Sequence, residues 1–133
     1  MSTRLQTILI AGSVDREGNL SKPCYTIPDN LPGFPDPPVT VSHPSTGFYE
    51  LQFIGEVFDE FPGPVVNATV FGEEPFFGDR TDTRDNAIVV DRKRSYARIK
   101  TGDAQGNADD RGFFFTAVGT YEVGVSSPLL LIA

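Results

Sequence analysis

An all-β sandwich is the fold class this sequence predicts, and three observations carry it. Gly (13) and Pro (11) are scattered through the 133 residues, so few windows are long enough to hold a helix. Apolar and polar residues alternate at period two over short stretches, the mark of half-buried strands. Clusters of turn-forming residues separate those stretches at sandwich-like or barrel-like intervals. Together they predict a single-domain antiparallel β-sandwich over residues 1–133, jelly-roll-like, with roughly eight or nine strands and a proline-rich arm.

The elements follow in order. LQTILIAG (Leu5–Gly12) reads as a first strand. DREGN (Asp15–Asn19) reads as a turn, with Gly18 able to adopt positive φ. Residues 22–38, KPCYTIPDNLPGFPDPP, form the arm. Its prolines lack amide donors and exclude a central strand there. An arm of this kind wraps over a surface or lies against a neighbouring subunit. VTVSH (Val39–His43) fits an edge strand. GFYELQFIG (Gly47–Gly55) places Tyr49, Leu51 and Phe53 on one face and Phe48, Glu50 and Gln52 on the other. PVVNATVFG (Pro64–Gly72) separates Val66, Ala68 and Val70 from Val65, Asn67, Thr69 and Phe71 in the same way. NAIVVD (Asn86–Asp91), SYARIKT (Ser95–Thr101), GFFFTAVG (Gly112–Gly119) and YEVGVS (Tyr121–Ser126) complete the set. No internal repeat and no interdomain linker stand out.

Composition narrows the function classes. The formal net charge is −7, which argues against a nucleic-acid surface. The basic run Arg92-Lys93-Arg94, with Arg98 and Lys100 beyond it, reads as a solvated loop or as a site for an anionic group. No apolar run approaches the roughly 20 residues that cross a bilayer as a helix. The opening MSTRLQTILIAGS is too short and too strand-like for a signal peptide. The single cysteine, Cys24, reads as a small buried hydrophobe. The single histidine, His43, stands before Pro44 and reads as a surface residue in a loop-like stretch. No G-x-S-x-G elbow, H-E-x-x-H pair, P-loop or dinucleotide fingerprint occurs.

Two acidic loops are the candidate metal sites. TGDAQGNADDRG (Thr101–Gly112) offers Asp103, Asn107, Asp109 and Asp110 as hard oxygen ligands for calcium. Its spacing is not that of an EF-hand, and a hairpin turn explains the same residues. FGDRTDTRDNA holds Asp79, Asp82 and Asp85 interleaved with Arg80 and Arg84. It reads as a solvated charged loop, or as a partner to the first loop if both lie at one end of the sandwich. The metal candidates are thus Asp79, Asp82, Asp103 and Asp110, with calcium the only cofactor considered.

Interface candidates come from apolar residues that a sandwich does not obviously bury. Leu129, Leu130, Leu131 and Ile132 in PLLLIA are either a last buried strand or a subunit contact. In EEPFFGD, adjacent Phe76 and Phe77 cannot both face one core unless the loop folds back. Phe34 and Phe48 are further anchors of the kind interfaces use.

A family resemblance rests on four stretches. They are Gly12-Ser13-Val14 with Gly18, STGFYELQF, FDEFPGPVVNATVFG and SYARIKTGDAQGNADDRGFFFTAVG. The matching positions include Gly47, Tyr49, Phe53, Phe61, Pro64, Val66, Thr101, Gly106, Asp110, Phe113, Phe115 and Gly119. This pattern resembles the small β-sandwich modules of bacterial and phage tail-fibre-like surface proteins. In general plan it is similar to the trimeric heads of complement-like and tumour-necrosis-factor-like jelly rolls. The arm at 28–38 departs from it. The resemblance implies a non-catalytic module that trimerises, sits on a virion-like or extracellular surface and binds a glycan or protein. A calcium-dependent lectin is the alternative, with Tyr25, Tyr96 or Tyr121 as sugar platforms because Trp is absent. A carboxylate enzyme in a β-barrel is a third, disfavoured because the inward strand positions read as apolar.

Overall fold

The computed structural model describes residues 2–21, 24–27, 37–54, 58, 63–71 and 84–125, with backbone only for 2–5 and 121–125. Among the described residues, eight strands form two antiparallel four-stranded sheets. They are β1 (Ser2–Val14), β2 (Tyr25–Ile27), β3 (Val39–Ser45), β4 (Phe48–Phe53), β5 (Val65–Val70), β6 (Asn86–Lys93), β7 (Tyr96–Gly102) and β8 (Phe113–Val125). Sheet A has the order β2-β1-β8-β5 and sheet B the order β3-β4-β7-β6. The chain is a β-sandwich, as its alternating pattern predicts. Its long-range pairs are β1 with β8 and β5 with β8 in one sheet and β4 with β7 in the other, while β1–β2, β3–β4 and β6–β7 pair as sequence neighbours.

The alternation in the sequence maps onto burial. Tyr49, Leu51 and Phe53 of β4 point into the core, facing Ile8, Ile10, Phe113, Phe115 and Ala117 of sheet A. Ala97 and Ile99 of β7 and Val39 of β3 complete the sheet B side. Among the described residues, fourteen apolar side chains form this core. At about 1.5–3 kcal/mol for each large side chain they supply the main driving force for folding.

Three expectations change. GFFFTAVG and YEVGVS are one strand, β8, paired with β1 at every position from Val14↔Phe113 to Ser2↔Val125. Gly119 does not break it, because that glycine answers a packing demand. A Cβ there would lie 2.5 Å from Cδ1 of Phe58. The arm contributes a strand as well: Tyr25–Ile27 pairs with Leu9–Ala11 at the edge of sheet A, where neighbouring prolines do no harm. His43 is not in a loop. It belongs to β3, which continues through a bulge between Ser42 and Ser45. Residues 28–36, Phe34 among them, lie outside the described residues, as do Asp79, Asp82, Phe76, Phe77 and Leu129–Ile132.

Register fixes which connections share an end. Val14, Phe113 and Val70 lie level with one another in sheet A. Phe48 lies beside Lys100, and Asn86 beside Gly102, in sheet B. The β7–β8 connection joins those two levels. The β1–β2, β3–β4, β5–β6 and β7–β8 connections therefore all leave from one end of the sandwich.

Candidate functional site

At this end the sequence builds the same loop twice. Asp15-Arg16-Glu17-Gly18-Asn19 follows β1, and Asp103-Ala104-Gln105-Gly106-Asn107 follows β7. In the first, Asp15 Oδ1 accepts the amides of Glu17 at 3.0 Å and Asn19 at 2.9 Å. In the second, Asp103 Oδ1 accepts those of Gln105 and Asn107, both at 2.9 Å. Each loop closes with an Asp N–H to Asn C=O bond of 3.0 Å and ends in a lone bridge, Val14↔Leu20 or Gly102↔Ala108. Gly18 and Gly106 have φ of 93° and 81°, which explains the glycine at the fourth place. The same five-residue turn, with Asp, Gly and Asn at its first, fourth and fifth places, thus occurs at both positions.

Hydrogen bonding sets the state of both carboxylates. For Asp103 the Asn107 amide bond leads, and the carboxyl is held below its ordinary value despite a small opposing effect of burial. For Asp15 slight burial pulls upward, but bonds from Asn19, Glu17 and Gly18 outweigh it and the net shift is also downward. These oxygens are engaged by their own loop's backbone.

A second network ties three connections together. Asp110 Oδ1 accepts the amide of Gly47 at 2.7 Å and the Nε2–H of His43 at 2.9 Å. His43 is half-buried and lies flat on Tyr49, ring centroids 4.2 Å apart and 6° between planes. Tyr49 is fully buried, meets Phe113 edge-on at 5.3 Å and donates its hydroxyl to Arg16 O at 2.7 Å. Gly18 sits against His43, where a Cβ would lie 2.8 Å from the histidine Cβ. Gly47 turns with φ 69° and comes so close to Thr101 O that a Cβ would lie 2.7 Å from it. The reading of His43 as a surface residue is therefore corrected, because the Tyr49 ring and the first twin loop cover it.

Asp85, at the described end of the second acidic stretch, meets the first loop through a guanidinium. Arg111 donates from Nε to Asp85 Oδ2 at 3.2 Å and from Nη1 to Asp109 Oδ2 at 2.6 Å. Partial burial of Arg111 disfavours its charge, but these two carboxylates outweigh that and raise its affinity for the proton further. Asp85, expected in a solvated loop, is buried, with its side chain 1% exposed. Arg111 thus places a cation between Asp85 and Asp109. Thr101 supports the same loop by donating its hydroxyl to Asp109 O at 2.5 Å. Among the described residues no group of three His, Cys, Asp or Glu side chains is arranged to hold a metal ion.

The remaining candidates are distributed elsewhere. On the outer face of sheet B, Arg98 of the basic stretch lies over the Tyr96 ring at 4.6 Å and 3.6 Å from Asp91, and at the opposite end of the sandwich Arg94 donates to Phe58 O at 3.2 Å. A cleft of about 350 Å³ between the edges of β5 and β6 is lined by four valines, Asp91 and Arg92. Asp91 already accepts the Tyr96 hydroxyl at 3.2 Å. The cleft lacks the set of convergent polar groups that orients a small molecule.

The outer faces of the two sheets differ sharply. On sheet B, Glu50, Arg98 and Asp91 lie side by side across three strands. On sheet A, Ile27, Leu9, Val118 and Val65 form one row across all four strands. The next row is Tyr25, Ala11, Thr116 and Asn67, and beyond it Phe114 packs on Phe71 at 4.6 Å. None of the described side chains on this face is charged. The sequence holds that information, but only the register assembles it.

No protein-family model, no curated protein and no solved structure matches this chain.

Proposed function

We propose that this chain is a non-catalytic structural and binding module that works as an oligomer, in trimeric form, on a virion-like or extracellular surface, where it recognises a glycan or another protein. One observation carries the oligomer. Of the seven large hydrophobic residues that stand exposed among the described residues, four share the outer face of sheet A: Tyr25, Ile27, Val65 and Phe114. A contiguous apolar face of this kind on a soluble protein marks a surface that something covers. The non-catalytic part draws support from the loop end. There the only histidine and the acids Asp15, Asp103 and Asp110 fasten backbone and neighbouring loops together.

Sedimentation equilibrium tests the reading. A mass near three times 14.5 kDa supports it. A monomer at all concentrations refutes it. A trimer that dissociates in EDTA favours the calcium-dependent lectin instead, since a ligand bound only to the assembled form stabilises it by mass action.

A further inference from the structure

We infer that the outer face of sheet A is turned inward in the trimer, where each copy packs against the other copies of this chain, with the row Ile27, Leu9, Val118 and Val65 within the contact. This rests on the oligomer proposed above and assigns its surface.

Charge selects the occupant. Each copy carries a net charge of −7, so two copies repel wherever carboxylates face each other. The stretch of this face from Thr7 to Ser13 and its neighbours presents no charge among its described side chains, so there it meets its own kind without bringing carboxylates together. A foreign protein partner is usually steered and selected by complementary charge, and this face offers none among its described side chains. An anionic membrane surface requires Lys or Arg around the apolar patch, and this face has neither among its described side chains. The outer face of sheet B shows the contrast, with Glu50, Arg98 and Asp91 neighbouring one another across its strands.

Size and shape agree. Four strands spaced about 4.8 Å apart, with seven residues of β1 from Thr7 to Ser13 at about 3.4 Å each, make a patch roughly 19 by 24 Å. That is about half of the roughly 800 Å² that each partner buries in a stable interface. It matches the apolar centre of such an interface, to which a more polar rim is added. The Phe71–Phe114 pair, at 4.6 Å, stands at the edge of the patch as an aromatic anchor.

Charge implants test this. Val65 and Ile27 lie on edge strands, 58% and 62% exposed, so Val65→Lys and Ile27→Lys disturb little inside one copy. Asn67→Asp is a milder, nearly isosteric variant on the same face. Ile88→Lys, on the outer face of sheet B and 53% exposed, is the control. Mass is followed by sedimentation equilibrium and folding by circular dichroism melting. The expected result is an oligomeric parent and control, with the two lysine variants folded and their association weakened by about 100-fold or more. Asn67→Asp is expected to weaken association in the same direction. An oligomeric parent whose sheet A variants assemble as well as it does overturns the assigned surface and leaves the oligomer standing. A monomeric parent overturns both, and one that floats with phosphatidylcholine vesicles gives the face to a membrane.

Discussion

Replacing Asp110 by Ala removes one carboxylate oxygen that serves two connections at once. Oδ1 of Asp110 holds the buried Gly47 amide at 2.7 Å and the His43 imidazole at 2.9 Å. A hydrogen bond to a charged group contributes about 1.5–3 kcal/mol. The half-exposed pair with His43 adds about 0.2–1 kcal/mol. The loss is then about 2–4 kcal/mol. For a chain of this length 1 kcal/mol corresponds to about 4 °C, so Tm should fall by about 8–15 °C. Asp110→Asn keeps an oxygen in place for the Gly47 amide but gives up the charge, and should cost about 1–2 kcal/mol, less than Ala. Thermal melting of the three proteins at neutral pH, with and without EDTA, is the assay. An Ala variant within about 2 °C of the parent would refute the fastening role. So would an Asn variant as damaged as Ala, which would mean that the negative charge matters more than the oxygen. An EDTA-induced fall in Tm that both variants lack would assign Asp110 to a bound cation.

Other outcomes follow from the same geometry. Gly119→Ala forces Phe58 to move and should cost about 1–3 kcal/mol in urea unfolding, with Phe58→Leu restoring part of it in the double variant. If Gly119→Ala is neutral, the close approach of Phe58 does not constrain β8. Arg111→Met takes the guanidinium from Asp85 and Asp109 and should destabilise by about 2–4 kcal/mol, because Asp85 is buried. A loss below about 0.5 kcal/mol would place Arg111 with ordinary surface ion pairs. The carboxyl of Asp103 is depressed in the fold, so its contribution is present above the ordinary value of 3.8 and disappears as pH falls through the folded value. Asp103→Asn should therefore unfold at lower urea than the parent at pH 7, with the gap closing below pH 3.8; a gap constant with pH would refute the linkage.

What the sequence made legible was whatever depends on near neighbours. The faces of Gly47–Gly55 and Pro64–Gly72 follow from alternation alone, since period two is a property of the extended backbone. β2 was hidden because three residues among prolines carry no periodic signal. Gly119 looked like a terminator because its real cause, the Phe58 ring, lies far away in sequence. The twin loops escaped notice since only Asp, Gly and Asn recur, in two short segments almost a whole chain apart. The junction of His43, Gly47 and Asp110 joins residues more than sixty positions apart. No local pattern encodes such a meeting. Arg111 carried the one available hint, a cation directly after Asp109 and Asp110.

The pairing of β1 with β8 also governs when the chain can fold. The two strands at the middle of sheet A come from opposite ends of the described sequence, with paired residues roughly a hundred or more positions apart. At about 5–20 residues per second, synthesis leaves β1 without its partner for about 5–20 s. Throughout that interval Ile8 and Ile10, which the finished core hides completely, belong to a strand whose one partner in sheet A is the three-residue β2. A ribosome can release β3 and β4 as a local hairpin, but sheet A has to wait for the last strand. Folding of this topology should be slow and all-or-none, and a nascent chain stalled before β8 should bind chaperones through its first fourteen residues.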